Sequence, residues 1–238
     1  QAVELGQSDT VRPGKPATLV DVNRTGLQVV GVDLTAHEVL RAAVLDLDGN
    51  VLHRSERPLT GRAAGADVLA DVLALVSDAV ALATETVLGI GVGTPGVVGP
   101  DGDVLTAPNL GWTDVPLRSL LAEATGLPVL VCNDADAAVH AEHTLGDGGD
   151  DLILVRIGLG VGCGLIVDGQ RVRGAHFAAG EIGHVTVGTD GGETCGCGNV
   201  GCLETWISAP RLQKAIADSA TDSDGALRSA GERLAIAL

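Results

Sequence analysis

The sequence has very few aromatic residues for a chain of its length. Trp112, Phe177 and Trp206 are the three aromatic residues among 238, although 45% of the chain is hydrophobic. The core must therefore be built from Ala, Val, Leu and Ile, and the 34 glycines predict many tight turns. This composition favours an α/β protein with one large domain or two modest lobes.

Lysine is also scarce, with two residues in a chain whose formal net charge is -16. A surface that neutralises phosphates needs clustered Lys and Arg, so this composition excludes a nucleic-acid-binding face on the chain itself. The sequence has no uninterrupted apolar run of about 18 residues and no signal-peptide pattern at its beginning. We expect a cytoplasmic protein that has no membrane contact.

The first half of the chain alternates between strand and helix patterns. An antiparallel three-stranded meander is predicted first, followed by a helix, a strand that ends at a Gly-Thr-Pro-Gly turn, and a second helix and strand. Asn133-Asp134 then opens a helix that ends near Leu145. The predicted ranges are strands 27–33, 39–47, 50–53, 87–92 and 128–132, and helices 64–83 and 117–125.

A similar pattern begins after the Gly- and Asp-rich segment 146–150. Strands are predicted at 151–157 and 162–168 with Gly169 at their turn, and an amphipathic helix at 226–238. The repeated meander indicates two similar lobes with mixed sheets and a cleft between them.

Four residues between positions 184 and 202 have the identity and spacing of metal ligands. His184, Cys195, Cys197 and Cys202 would supply the one imidazole and three thiolates that complete a tetrahedral zinc shell. Because a closed shell leaves no position for water, we expect a structural Zn²⁺. The alternative is a set of buried free cysteines, the interpretation that we favour for Cys132 and Cys163.

Residues 181 to 204 also carry a family signature. Gly180-Glu181-Ile182-Gly183-His184, followed by Cys-x-Cys-Gly-x-x-Gly-Cys-x-Glu, resembles the motif of the ROK family of sugar kinases and sugar-responsive repressors. The resemblance implies a two-lobed actin/hexokinase-like (ribonuclease H-like) fold. It also implies that Glu181, His184 and Glu204 bind sugar hydroxyls, with His184 in addition a zinc ligand. The alternative for both glutamates is an exposed or helix-start carboxylate.

The resemblance extends to three further polar residues. In the family, an Asn-Asp pair such as Asn133-Asp134 binds the sugar, and in kinases the aspartate is the catalytic general base. Asn and Asp are also preferred helix N-caps, so capping remains an alternative here. Pro108-Asn109-Leu110 resembles the sugar-contacting segment of the family and suggests Asn109 as a ligand, unless it is an ordinary loop residue.

The two predicted phosphate-binding segments depart from the kinase pattern. ROK kinases show Asp-x-Gly-x-Thr after the first strand, whereas this chain reads Asp33-Leu34-Thr35-Ala36-His37. The second segment, residues 158–164, keeps its glycines, but Leu159 stands where a threonine is usual. Such glycines also pack strands closely. The departures favour a sensor over a kinase.

The resemblance implies a sequence that is clipped at both ends, because it begins after the winged helix-turn-helix of a repressor and lacks the closing strands of the family at its other end. Residues 1–23, which include Arg12-Pro13-Gly14-Lys15, resemble the end of the wing, although an ordinary strand and turn is the alternative. We expect an N-terminal lobe at 24–134 and an incomplete C-terminal lobe with the zinc loop at 135–238.

The predicted function is therefore the effector domain of a ROK-type transcriptional repressor. A sugar or sugar phosphate would bind in the cleft, and DNA would be contacted through a missing N-terminal domain. The resemblance suggests a homodimer or homotetramer. One alternative is a hexose kinase that uses Mg²⁺-ATP and Asp134 as general base. Another is an interaction domain that binds no ligand.

Overall fold

The computed structural model describes residues 2–7, 17–35, 39–59, 65–218 and 223–238. Its strands are β1 (Ala2–Gln7), β2 (Thr18–Val22), β3 (Leu27–Asp33), β4 (Val39–Asp46), β5 (Val51–Pro58), β6 (Thr86–Thr94), β7 (Val97–Val98), β8 (Val104–Ala107), β9 (Trp112–Val115), β10 (Val129–Asn133), β11 (Leu152–Ile157), β12 (Val161–Val167) and β13 (Gln170–Arg171). Its α-helices are α1 (Ala66–Ala81), α2 (Leu117–Thr125), α3 (Asp134–Leu145), α4 (Glu204–Ile207), α5 (Ala209–Asp218) and α6 (Ser223–Ala237).

A mixed five-stranded sheet forms the first half of the molecule, in the order β10-β6-β3-β4-β5. β3, β4 and β5 pair antiparallel, as the predicted meander requires, and β6 and β10 extend the sheet in parallel. Alternate residues of β3 and β4 are buried, because one face of the sheet packs against helices. The carboxyl ends of β3, β6 and β10 therefore meet at one edge.

Helices α1 and α2 cover the buried face of this sheet. The buried positions of α1 recur at helical spacing (Val68, Val72, Leu75, Val76 and Ala79). Helix α2 buries Leu117 and Leu121 and ends at Gly126 in the left-handed conformation. Trp112 packs into the same core, where its indole Nε1 donates to the carbonyl of Gly65. The core is aliphatic apart from this one ring, in agreement with the composition.

A second, antiparallel sheet of β11, β12 and β13 forms the other half. Helix α3 contacts β6 and β12, and so lies between the two sheets. A smaller core of Val161, Leu203 and Ile207 packs against α5 and α6. The guanidinium of Arg233 stacks on the ring of Trp206 at 3.5 Å and fixes α6 on this core.

The predicted α/β class with mixed sheets is confirmed, and most predicted elements lie within two residues of the observed ones. Residues 8–16, the middle part of the proposed remnant of a wing at 1–23, lie outside the described residues, and the flanking β1 and β2 pair antiparallel. The boundary between residues 134 and 135 stays a prediction. In the described part of the chain, no helix is long and apolar enough to cross a bilayer.

Candidate functional site

A cavity of about 220 Å³ lies between the two sheets, at the edge where β3, β6 and β10 end. Ligands of open α/β folds bind at such strand ends. Six polar residues predicted from the sequence as sugar ligands all line this cavity: Asn109, Asn133, Asp134, Glu181, His184 and Glu204. They come from four separate segments of the chain, so the fold brings together what the sequence keeps apart.

Asn133 and Asp134 occupy the junction between β10 and α3. The side-chain oxygen of Asn133 accepts hydrogen bonds from the backbone N–H groups of Ala135 and Asp136, at 2.8 and 3.2 Å. Its Nδ2 donates to the carbonyl of Gly96 at 2.9 Å. The capping alternative is therefore realised for Asn133. One amide N–H is left over as a donor to a ligand.

Asp134 is a carboxylate of the cavity that forms an ion pair with an arginine. Its Oδ2 accepts a hydrogen bond from Nη1 of Arg156 at 2.7 Å. Burial raises the pKa of Asp134, and the adjacent Arg156 guanidinium opposes that rise. The arrangement gives the cavity a carboxylate acceptor that is already paired on one oxygen.

Glu181 and His184 are positioned by close packing of a glycine-rich turn on β12. A Cβ at Gly180 would lie 1.8 Å from the carbonyl oxygen of Cys163, and one at Gly183 would lie 2.1 Å from that of Val161. Gly180 also has a φ of 87°, which a side chain disfavours. Both glycines are thus required for the turn to present its carboxylate and imidazole to the cavity.

The two glutamates have different partners within the cavity. Oε2 of Glu181 lies 3.8 Å from Nε2 of His184. Burial raises the pKa of Glu181, whereas His184 lowers it. Glu204 begins α4, and its Oε2 accepts a hydrogen bond from the backbone N–H of Val161 at 3.1 Å. Each carboxylate keeps one oxygen for a ligand hydroxyl.

The four predicted metal ligands form one cluster beside the cavity. The ligand atoms of His184, Cys195, Cys197 and Cys202 all lie within 4.8 Å of one another. The Nδ1 of His184 is 3.4 Å from Sγ of Cys195, and Sγ of Cys197 is 3.6 Å from Sγ of Cys202. Tetrahedral zinc sites space their ligand atoms by about 3.5 to 3.8 Å. The cluster could hold such a metal.

The chemistry of the three thiols also fits a metal. Burial raises the pKa of Cys195, and raises that of Cys202 to about 12, so both would otherwise keep their protons. The pKa of Cys197 is lowered by a backbone hydrogen bond from Asn199. A cation would favour the thiolate form of all three. Outside the cluster, Cys163 is buried as predicted, and Cys132 is partly buried.

The two described residues of the turn after β3 have different environments. The side chain of Leu34 is 1% exposed and belongs to the aliphatic core. Thr35 does line the cavity, and Ala36 and His37 lie outside the described residues. A leucine at the end of β3 is buried because it continues the alternation that buries Val30 and Val32.

Arg156 also lines the cavity, although it was not among the residues predicted from the sequence. It lies on β11, and its Nη2 donates to the hydroxyl of Thr35 at 2.7 Å while Nη1 contacts Asp134. The available signal was an arginine inside the apolar strand Leu-Ile-Leu-Val-Arg-Ile. Such a residue is rarely placed in a strand without a partner.

The profile of the ROK family matches residues 29–231 of the chain. The chain is 34% identical over 220 residues to the xylose repressor of Caldicellulosiruptor bescii, which covers 90% of this chain and 54% of the repressor. It is 37% identical over 199 residues to the glucokinase of Halalkalibacterium halodurans, covering 81% of this chain and 60% of the glucokinase. The chain thus spans about half the length of the curated relatives that it matches.

Among the solved structures that are similar to this chain, one is a regulator and another is a kinase. One is a ROK family transcriptional regulator, a homologue of the E. coli MLC protein, with a TM-score of 0.75 and 30% identity over 91% of this chain and 56% of the regulator. The other is a ROK family glucokinase from Streptomyces griseus in complex with glucose and AMPPNP. It has a TM-score of 0.72 and 32% identity over 83% of this chain and 62% of the glucokinase.

Proposed function

Because the chain belongs to the ROK family, with relatives that are either sugar kinases or repressors, we propose that it is the sugar-sensing effector part of a transcriptional regulator. In this proposal a sugar or sugar phosphate binds in the cavity between the sheets. DNA is contacted by another part of the protein, since a chain with a net charge of -16 is a poor surface for phosphates.

The convergence of six polar residues on one cavity carries the proposal of a sugar site. A sugar presents a ring of hydroxyls, and ionised carboxylates are strong, directional acceptors for them. Asp134, Glu181 and Glu204 offer such acceptors, while Asn109 and Asn133 add amide groups. His184 contributes an imidazole at the boundary with the cysteine cluster.

Two features favour reversible binding over phosphoryl transfer. The turn after β3 has Thr35 in place of the glycine of the kinase motif, and this side chain lines the cavity where a glycine would leave room for a phosphate. Asp134 would be the general base of a kinase, but its carboxylate is paired with Arg156. The guanidinium opposes the rise in the pKa of Asp134 that burial causes, and so makes this carboxylate a weaker base than it would be without Arg156.

The metal that we propose for the cysteine cluster is zinc, bound in a structural role. Three thiolates and the Nδ1 of His184 would complete its tetrahedral shell, and the Nε2 would remain directed towards Glu181. The metal would hold a segment that is rich in glycine and poor in apolar side chains. Such a ligand shell would fix the ring of His184 for the sugar.

The proposed mechanism is a ligand-dependent shift between two arrangements of the lobes, which we place at residues 24–134 and 135–238. A sugar bonded to groups from both lobes favours the arrangement in which all those groups are in reach. We further propose, from the family resemblance, a cytoplasmic homodimer or homotetramer. The shift would alter how its DNA-binding parts are placed.

The second candidate is a hexose kinase that uses Mg²⁺-ATP, with Asp134 as general base. Asp134 is retained at the start of α3 and faces the cavity, as that function needs. The glucokinase among the relatives gives this candidate its substrate class. Measured turnover would decide between the two candidates.

Thermal unfolding in the presence of D-xylose, D-glucose and their phosphates, with and without Mg²⁺-ATP, tests the proposal. We expect one sugar to raise the Tm without help from Mg²⁺-ATP, and no phosphorylated sugar to form. Glu181→Gln should weaken the response, whereas Glu123→Gln on the exposed face of α2 should leave it unchanged. Sugar-dependent consumption of ATP would overturn the regulator and establish the kinase.

A further inference from the structure

Arg156 connects the two sheets across the cavity floor. It belongs to β11 of the second sheet, and its guanidinium donates at 2.7 Å to Asp134 and at 2.7 Å to Thr35, which follows β3 of the first sheet. Both contacts use the planar fork of the guanidinium, which fixes direction as well as distance. Side chains from β11, from the start of α3 and from the turn after β3 thus meet at one cation.

The Thr35 side of this bridge is itself held in place. The backbone N–H of Thr35 donates to Oδ1 of Asp33 at 2.9 Å, and its hydroxyl donates to the same oxygen. The hydroxyl oxygen can therefore only accept the hydrogen bond that Nη2 of Arg156 donates. A continuous network results, running from Asp33 through Thr35 and Arg156 to Asp134.

The charges around Asp134 explain why a cation is needed there. Burial raises the pKa of Asp134, Asp33 raises it further, and Arg156 opposes both effects. Glu181 and Asp136 also face Asp134 and interact with its charge. Among the described residues that line the cavity, Arg156 is the one cation whose charge does not depend on pH.

We propose that Arg156 is a positioning residue for sugar binding. By occupying Oδ2 it holds the Asp134 carboxylate ionised and in one orientation, and it leaves Oδ1 to accept a sugar hydroxyl. Because Arg156 also bonds Thr35, the orientation of the Asp134 carboxylate depends on the distance between the two sheets. This inference rests on the proposed sugar site, and assigns Arg156 a role in it that acts through Asp134.

A double-mutant cycle on the full chain separates this role from a structural one. Sugar Kd values would be measured by calorimetry with D-xylose and D-glucose for the parent, Arg156→Met, Asp134→Asn and the double variant. We expect Arg156→Met to raise the Kd about tenfold in the parent but by less than about twofold in the Asp134→Asn background. Arg156→Lys keeps the positive charge but not the planar guanidinium, and it should raise the Kd by less than Arg156→Met does.

Arg171→Met is the matched control, because Arg171 forms a similar ion pair with Asp136 at 3.1 Å but does not line the cavity. Its sugar Kd should equal that of the parent. The pH profile adds a readout that misfolding would not shift. Without Arg156 the pKa of Asp134 rises, so sugar binding should be lost at a higher pH as acid is added.

Three results would contradict the inference in distinguishable ways. Equal losses in both backgrounds would mean that Arg156 does not act through Asp134. Equal losses in Arg156→Met and Arg171→Met would mean that the ion pair serves stability alone. If the parent chain binds no sugar in the panel, the proposed site itself fails and the inference falls with it.

Discussion

At the scale of single residues, Asn133 shows how one side chain can satisfy two interpretations of its sequence context. Its oxygen caps α3, and its Nδ2 bonds the carbonyl of Gly96 in the turn after β6. The cap fixes the start of α3, and therefore the position of Asp134 in the cavity. The side chain of Asn133 therefore caps α3 and positions Asp134 through the same hydrogen bonds to backbone groups.

Because Asn133 caps a helix, replacing it with alanine should affect stability more than the same replacement at Asn109. Asn133→Ala should lower the free energy of unfolding by about 1 kcal/mol, because two backbone N–H groups of α3 lose their acceptor. Asn109→Ala, in an exposed turn of the cavity rim, should change stability by less than about 0.5 kcal/mol and weaken sugar binding. Urea unfolding and calorimetry measure the two effects. Equal stability of the two variants would refute the capping role.

At the scale of elements, periodicity and glycine placement were sufficient to predict the helices that cover the first sheet. Val68, Val72 and Leu75 mark α1 at helical spacing, and Gly126 marks the end of α2. The small sheet of β7, β8 and β9 was missed because its strands have two to four residues, too few to show a period. Short elements are specified by their neighbours more than by their own sequence.

The site was predictable wherever its residues fall in a compact motif. His184 and the three cysteines lie within 19 positions, so their types and spacing indicated a metal site, and the family resemblance of the same segment implied a sugar-binding role for Glu181. Arg156 and Thr35 are 121 positions apart, and no local pattern relates them. Only the folded arrangement of the sheets brings that pair together, which is why the bridge was not anticipated.

The cysteine-rich segment should depend on its metal as a unit. We expect one zinc per chain, and Cys197→Ser should reduce zinc affinity by more than about tenfold, since an exposed ligand is lost without disturbing the core. Loss of the metal should also weaken sugar binding through His184. Elemental analysis and a chelator titration measure the first effect.

Cys132→Ser is the control for this change, because Cys132 lies outside the cluster. It should keep the full zinc content, even if its partial burial costs some stability. Equal zinc content in the parent and in Cys197→Ser would argue against the metal site.

At the scale of the whole molecule, charge should decide which form of a sugar is bound. The chain carries a net charge of -16, and the cavity lining adds Asp134, Glu181 and Glu204 against Arg156, which Asp134 already pairs. A phosphate dianion would enter a negative region without an unpaired permanent cation among the described lining residues. The negative charge of the whole molecule and the pairing of Arg156 with Asp134 therefore both disfavour binding of a phosphate ester.

We accordingly predict that the protein prefers a neutral sugar to its phosphate ester, with a Kd at least about tenfold lower for the neutral form. Raising the salt concentration should narrow this ratio, because screening weakens the repulsion. Asp134→Asn should narrow it further, since it removes one negative charge and frees the guanidinium of Arg156 for phosphate. Asp78→Asn, on α1 and paired with Arg57 outside the cavity lining, removes the same charge at a distance from the site and should leave the ratio nearly unchanged. Tighter binding of the phosphate ester by the parent protein would contradict this prediction, and would mean that the guanidinium of Arg156 leaves Asp134 to bind the phosphate.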